Sequence, residues 1–263
     1  MFSPWSQHFA RNAARPDPDV TDADARLPPG WAAPLAASLA VFQLGESKGG
    51  RIATEVATAA GVDPSYVDAI RRFIDEELHH GELLAACVRG LGGELVQHNW
   101  TDTLFVGARR LAGLRLKLAV LLAAEIVGVA FYEVIAARLP AGPLRACLAR
   151  LIDDETHHLR FHGDAFRGDR AFARRVWPVV AAGTAVVLVD HRRTLRTLGI
   201  PAGALIDAVR ARSRSVATDL YSSKMSPLSV PVTGASATSL AASSVRVPPS
   251  ISPPPPAVSV IGS

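Results

Sequence analysis

Two Glu-x-x-His pairs, Glu77/His80 and Glu155/His158, and two glutamates set in apolar sequence, Glu46 and Glu125, are the residues whose types and spacing could do chemistry. Glu46 precedes Glu77 by 31 residues and Glu125 precedes Glu155 by 30, and the two sets are offset by 79 and 78 residues. A single Glu-x-x-His arises often by chance, because residues three apart share a helix face. A repeated set with matched spacing is much rarer. One glutamate from each of two helices and one Glu-x-x-His from each of two others is the ligand set of a two-metal carboxylate site in a four-helix bundle. Carboxylate and imidazole ligands without a thiolate suit iron or manganese; iron leads, with manganese as the other metal that fits.

Helical phase decides which side chains point inward, at roughly 100° per residue. Ile70, Phe73, Ile74, Gly81, Leu84 and Val88 share the direction of Glu77; Leu148, Leu151, Ile152, Leu159, His162 and Phe166 share that of Glu155. Leu118, Leu122, Val129 and Tyr132 accompany Glu125, and Leu35, Leu39, Phe42, Gly50 and Ala53 accompany Glu46. The overlapping pair Glu76/His79 falls off its stripe and reads as outer-face or supporting; Asp154 and His157 fall off theirs. An ionised glutamate within an apolar stripe is costly unless paired or metal-bound. Four such carboxylates together make the argument for two divalent cations. The competing account is a set of solvated surface glutamates, or a metal-free bundle used for protein interaction. Of Asp75, Asp153 and Asp154, which precede the pairs, Asp154 is the one expected to orient an imidazole. His162 is a supporting donor or a core histidine, Tyr132 reads as packing, and His191 and Asp190 have no partner legible in the sequence.

The segments Asp75-Glu76-Glu77-Leu78-His79-His80 and Asp153-Asp154-Glu155-Thr156-His157-His158, with Glu46 and Glu125, resemble the ferritin-like di-iron carboxylate superfamily over about Trp31 to Gly168. The resemblance implies Glu77 and Glu155 as bridging carboxylates, Glu46 and Glu125 as terminal ones, and His80 and His158 as one imidazole ligand per metal. The doubled His-His and the acidic run are similar to the demethoxyubiquinone hydroxylase and tRNA hydroxylase branch, and less closely to the p-aminobenzoate N-oxygenase branch.

Two ferrous ions held together could deliver two electrons to O2. The expected activity is therefore that of a di-iron oxygenase or hydroxylase, a monooxygenase-like oxidoreductase acting on a small apolar or aromatic substrate with O2 and an electron donor. The alternative is a ferroxidase or iron-handling protein without an organic substrate. Rubrerythrin and ferritin relatives often add carboxylates beside the helix-three ligand, whereas the turns around Glu125 offer Gly128, Val129 and Tyr132. Gly49 and Gly50, next to Glu46, either leave room for a substrate or allow close helix packing.

Four helices must position these residues. The expected fold is all-α: a ferritin-like four-helix bundle with one or two additional C-terminal helices, over residues 31–221. Helix one is read from about Pro34 to Ala60, with Gly61 as its stop, and helix two from Asp63-Pro64 to about Arg89. A crossover from Gly90 to about Asp102 is long enough to travel most of a bundle. Helix three is read from about Thr103 to Leu139, helix four from Pro143 to about Arg167, a fifth near Ala171 to Leu198 and a sixth from Ala202 to Leu220. Residues 1–30 read as an extended or loosely docked arm. Residues 222–263, rich in Ser, Pro and Ala, read as a disordered tail.

A chain of 263 residues, 49% hydrophobic, can bury one sizeable core. Lys48, Lys117 and Lys224 are the only lysines among 28 basic residues. Without a tight basic run interleaved with aromatics, nucleic-acid binding is not expected. Cys87 and Cys147 have neither zinc-site nor disulfide-framework spacing and read as packed, reduced thiols. The apolar runs at Leu111–Leu139 and Val176–Val189 read as buried helices rather than transmembrane segments. The N-terminal residues carry no apolar signal-peptide core, so cytoplasmic residence is expected. A homodimer is compatible with this reading.

Overall fold

The computed structural model describes residues 2–24, 26–47, 55–59, 61–99 and 113–222. Among these the chain is helical, with no strand. The helices are α1 Ser3–Asn12, α2 Ala32–Glu46, α3 Pro64–Gly90, α4 Leu114–Ala136, α5 Pro143–Ala165, α6 Arg170–Asp190, α7 Arg192–Thr197 and α8 Ala202–Leu220.

Local chemistry sets several of these boundaries. Asp63 caps α3 by accepting the Ser65 N–H at 2.8 Å, with Pro64 in the first turn, where its missing N–H costs nothing. Asp169 caps α6 in the same way, accepting from Phe172 N at 2.8 Å. Gly61 ends the preceding segment at φ +75°, a left-handed conformation that glycine adopts without a Cβ penalty. The expected extension of helix one to Ala60 and the start of helix three near Thr103 fall largely outside the described residues, as do Gly49 and Gly50. The tail does too, apart from Ser222.

Apolar stripes pack α2 on α3 and α4 on α5, and α6 and α8 close over α4. Leu35, Phe73, Leu84, Leu122, Phe131, Leu148 and Phe161 are all at most 1% exposed; burying each such side chain stabilises by roughly 1.5–3 kcal/mol. Gly81 of α3 faces the end of α2, close enough that a Cβ there would make ordinary van der Waals contact with Glu46 Cβ at 3.5 Å and Ser47 N at 3.6 Å. The close approach brings the end of α2 to the middle of α3. On the other side, Arg212 of α8 pairs with Glu133 of α4.

Two expectations need correction. The first 30 residues are not a loose arm throughout: Ser3–Asn12 is a helix packed on α3, burying Phe2, Phe9 and Asn12. Pro4 in its first turn and aromatic residues at positions 5 and 9, one turn apart, are the signals that mark it. Cys87 and Cys147 are buried free thiols, as expected, and their sulfurs meet 3.0 Å apart where α3 crosses α5. The reading of both long apolar runs as buried helices holds for α4 alone. By length and composition α4 and α6 could each cross a membrane, but 78% of the apolar window of α4 is buried against 22% for α6. Pro178, Ala181, Ala182, Ala185 and Val189 of α6 face outward.

Candidate metal centre

The four central helices deliver their acids to one place. Glu46 is the last residue of α2, Glu77 and His80 sit one turn apart on α3, Glu125 lies mid-way along α4, and Glu155 and His158 sit one turn apart on α5. Glu77, Glu125 and Glu155 are 3–5% exposed and both histidines are fully enclosed. Glu46 is half-buried because it lines a partly open cavity.

Both imidazoles aim Nδ1 into the carboxylates. His158 Nδ1 lies 2.8 Å from Glu77 Oε1, 3.2 Å from Glu155 Oε2 and 3.4 Å from Glu125 Oε2. His80 Nδ1 lies 3.1 Å from Glu155 Oε1 and 3.7 Å from Glu77 Oε1. Glu77 and Glu155 thus each reach both imidazoles. Glu46 and Glu125 lie beside Glu77 and Glu155, close enough for the carboxyl groups to interact.

The outward nitrogens form a second tier that crosses between the hairpins. His158 Nε2, on α5, lies 2.9 Å from Glu76 of α3; His80 Nε2, on α3, lies 3.3 Å from Asp154 of α5. Each carboxylate preceding a central glutamate therefore orients the other hairpin's histidine, which fixes ring orientation and raises ligand basicity. Asn12 of α1 ties the two together: its side-chain N–H groups donate to Glu76 and to Asp154, the latter at 2.8 Å, while Arg15 donates to its Oδ1 at 2.6 Å. Arg150 Nε donates to Asp154 at 2.7 Å and its Nη2 to the Asn12 carbonyl at 3.1 Å. Of the two readings left open for Glu76, the supporting one is observed. His79 instead faces outward to Asp17 at 2.8 Å. Asn12, Arg15 and Arg150 were not legible as part of the site, because they act through the packing of α1.

The electrostatics follow from crowding these groups away from water. Burial, then the charges of Glu77 and Glu155, push the Glu46 carboxyl well above its usual range; burial and the same two neighbours, Glu155 ahead of Glu77, do so for Glu125. Burial opposes ionisation of Glu155, but hydrogen bonds from Glu125 and the His158 charge outweigh it and hold Glu155 well below. Burial disfavours charge on His80, yet bonds to Asp154 and Glu155 hold its pKa up at about 9; His158 is raised well above its usual value by Glu155 and Glu77 against the same penalty. Without a metal, protons on Glu46, Glu125, His80 and His158 offset the buried carboxylates.

The residues fit a pair of divalent cations on three counts. Glu77, His80, Glu155 and His158 offer ligand atoms within 4.8 Å of one another, all buried. Glu77 Oε1 and Glu125 Oε2 are buried and make no well-aligned hydrogen bond, their nearest nitrogen being His158 Nδ1 at 2.8 and 3.4 Å, the condition expected of a cation's ligands rather than of a finished polar core. Carboxylate and imidazole donors match a hard or borderline metal. Glu76, His80 and Asp154 form a second close group, but Asn12, Arg15 and Arg150 already occupy its acids. We therefore assign it to orienting the imidazoles.

A cavity of about 170 Å³ opens on Glu46, Glu77, Glu125 and Glu155. Its other walls include Phe42, Gly45, Ile74, Val120, Leu121, Val127, Gly128, Val179, Gly183 and Val187, with Tyr132 and His191 as further polar groups. Tyr132, read from sequence as packing, places its hydroxyl 3.5 Å from Glu46 Oε1. Burial and then the Glu46 charge keep that phenol protonated, well above its usual pKa. His162, by contrast, is a core histidine: neither ring nitrogen has a hydrogen-bond partner, and burial followed by the His158 charge lowers its pKa to about 3.

Compared with protein-family models, with curated proteins and with solved structures, the chain matches none. Its fold and site define an all-helical protein with a buried carboxylate–histidine cluster compatible with a di-iron centre.

Proposed function

We propose that the protein is a ferritin-like di-iron oxygenase that oxidises a small, mainly apolar or aromatic molecule, drawing on O2 and an external electron donor. The observation that carries this reading is the apolar cavity of about 170 Å³ on the four carboxylates. An engineered apolar cavity of roughly 150 Å³ stays dry and takes up benzene, so a chamber of this size suits a single-ring molecule. Among the described residues its acidic lining consists of the four cluster glutamates, whereas a route for passing iron would be served by further carboxylates. That favours an organic substrate over ferroxidase action.

In this reading the carboxylates of Glu46, Glu77, Glu125 and Glu155 and the imidazoles of His80 and His158 would hold the two ions. Bound iron would provide the redox chemistry that reduces O2. The chain's residues orient and exclude. Glu76 and Asp154 fix the imidazole rings, Tyr132 holds a proton beside Glu46, and Phe42, Val127 and Val187 give the chamber apolar walls.

The test is anaerobic loading of the full chain with ferrous iron, addition of a reductant and phenol or toluene, then exposure to 18O2. Incorporation of one labelled oxygen atom into the aromatic compound is expected. Continued iron uptake into a mineral core, with no labelled product, would overturn the reading in favour of iron handling.

A further inference from the structure

The cavity wall carries a polar group that the oxygen chemistry does not use. His191 follows the last residue of α6 and is 4% exposed, its ring stacked on Phe42 with centroids 5.0 Å apart and set 5.0 Å from Phe131. It lines the same chamber as the four glutamates.

A proton count along its hydrogen bonds fixes the tautomer. His191 Nδ1 lies 2.9 Å from Ser38 Oγ, Ser38 Oγ lies 2.7 Å from Thr194 Oγ1, and Thr194 Oγ1 lies 2.7 Å from the Pro34 carbonyl oxygen. A carbonyl only accepts, so the single Thr194 hydroxyl proton goes to Pro34. The Ser38–Thr194 contact then requires the Ser38 proton. With that proton committed, Ser38 Oγ can only accept from His191, and the ring proton sits on Nδ1. Burial keeps the ring neutral, lowering its pKa to about 4 against a small opposing pull from Asp190. Nε2 is left as a lone-pair acceptor on a ring that lines the chamber, and no described side chain engages it.

We infer that His191 Nε2 is a specificity-determining acceptor, selecting ring-sized apolar molecules that carry one hydrogen-bond donor, a hydroxyl or an amine N–H. The inference rests on the proposed function only in taking the bound molecule to be the one oxidised; the binding preference itself stands on the geometry. Ser38 and Thr194 are positioning residues that act through the imidazole. A ligand able only to accept, or lacking any polar group, leaves a buried acceptor unmatched.

The test measures phenol and toluene dissociation constants on the zinc-loaded full-length chain, as wild type and as His191→Phe, which keeps the ring stacking and removes the acceptor. Both probes should bind the wild type, and the phenol-to-toluene preference should fall about threefold to tenfold in the variant, the effect of one hydrogen bond. In 15N NMR the His191 signals, assigned by their loss in His191→Phe, should show a protonated Nδ1 and a bare Nε2. Ser38→Ala keeps the imidazole and releases Nδ1, so a smaller shift in the same direction is expected, and it serves as the comparison if His191→Phe does not fold. An unchanged preference in both variants, a proton on Nε2, or failure of either probe to bind the wild type would overturn the inference. Retained selectivity without labelled oxygen in any product would sustain it and count against the oxygenase reading alone.

Discussion

Replacing Asn12 by Ala tests whether α1 is part of the metal centre or merely covers it. The side chain is 4% exposed and donates to two buried carboxylates, Glu76 and Asp154, while accepting from Arg15. Hydrogen bonds to charged groups contribute about 1.5–3 kcal/mol each, so two of them set a ceiling near ~6 kcal/mol. Glu76 keeps His158 and Asp154 keeps His80 and Arg150, so neither acid is orphaned, and we expect a loss of about 2–3 kcal/mol. Because those two acids orient both imidazoles, metal affinity should also fall by about 10- to 100-fold. Urea denaturation of the metal-free protein gives the first quantity, and competition with a chelator of known affinity gives the second. A stability within ~0.5 kcal/mol of wild type, the range of an inert surface change, with unchanged metal affinity, would refute the linkage from α1 through Glu76 and Asp154 to the imidazoles.

Glu77→Ala and Glu155→Ala should each abolish stoichiometric metal binding in elemental analysis, while Glu76→Gln should keep both metals at an affinity lowered by about 10- to 100-fold; two metals retained in both alanine variants would disprove the assignment. Gly183→Leu should stop toluene uptake while leaving metal content unchanged, because a Cβ there already meets Val127 at 3.6 Å on the chamber wall; toluene titration followed by NMR checks it. Metal loading should release protons at pH 7, since His80 is held up at about 9 and Glu46, Glu125 and His158 are raised well above their usual values in the metal-free protein. Ligands must lose those protons to bind, so affinity should fall as pH is lowered; calorimetry in two buffers of different ionisation enthalpy reads the release, and none at all would contradict the electrostatic picture.

The inward side chains were legible because helical phase is local: three residues along a helix return to nearly the same face whatever surrounds it. Glu77 with His80, Glu155 with His158, and the lone Glu46 and Glu125 could therefore be chosen over Glu76/His79 before any fold was known. The same rule misjudged how deeply Glu76 and Asp154 are buried. Phase tells which residues share a face, but a second face is buried only if another element covers it, and here that element is α1, 64 and 142 positions away through Asn12. The exposed face of α6 shows the converse, since an apolar composition does not decide which side of a helix finds a neighbour.

The sequence by itself determined the helical character of the described residues, the doubled Glu-x-x-His pattern and the inward register of six side chains, because each depends on residues within a turn or two of one another. Only the tertiary structure decided that Glu76 serves His158 and Asp154 serves His80 across hairpins, that Tyr132 reaches Glu46, and that Ser38 and Thr194 set the proton on His191. Those contacts join residues dozens to more than a hundred positions apart, and their formation depends on how whole helices pack.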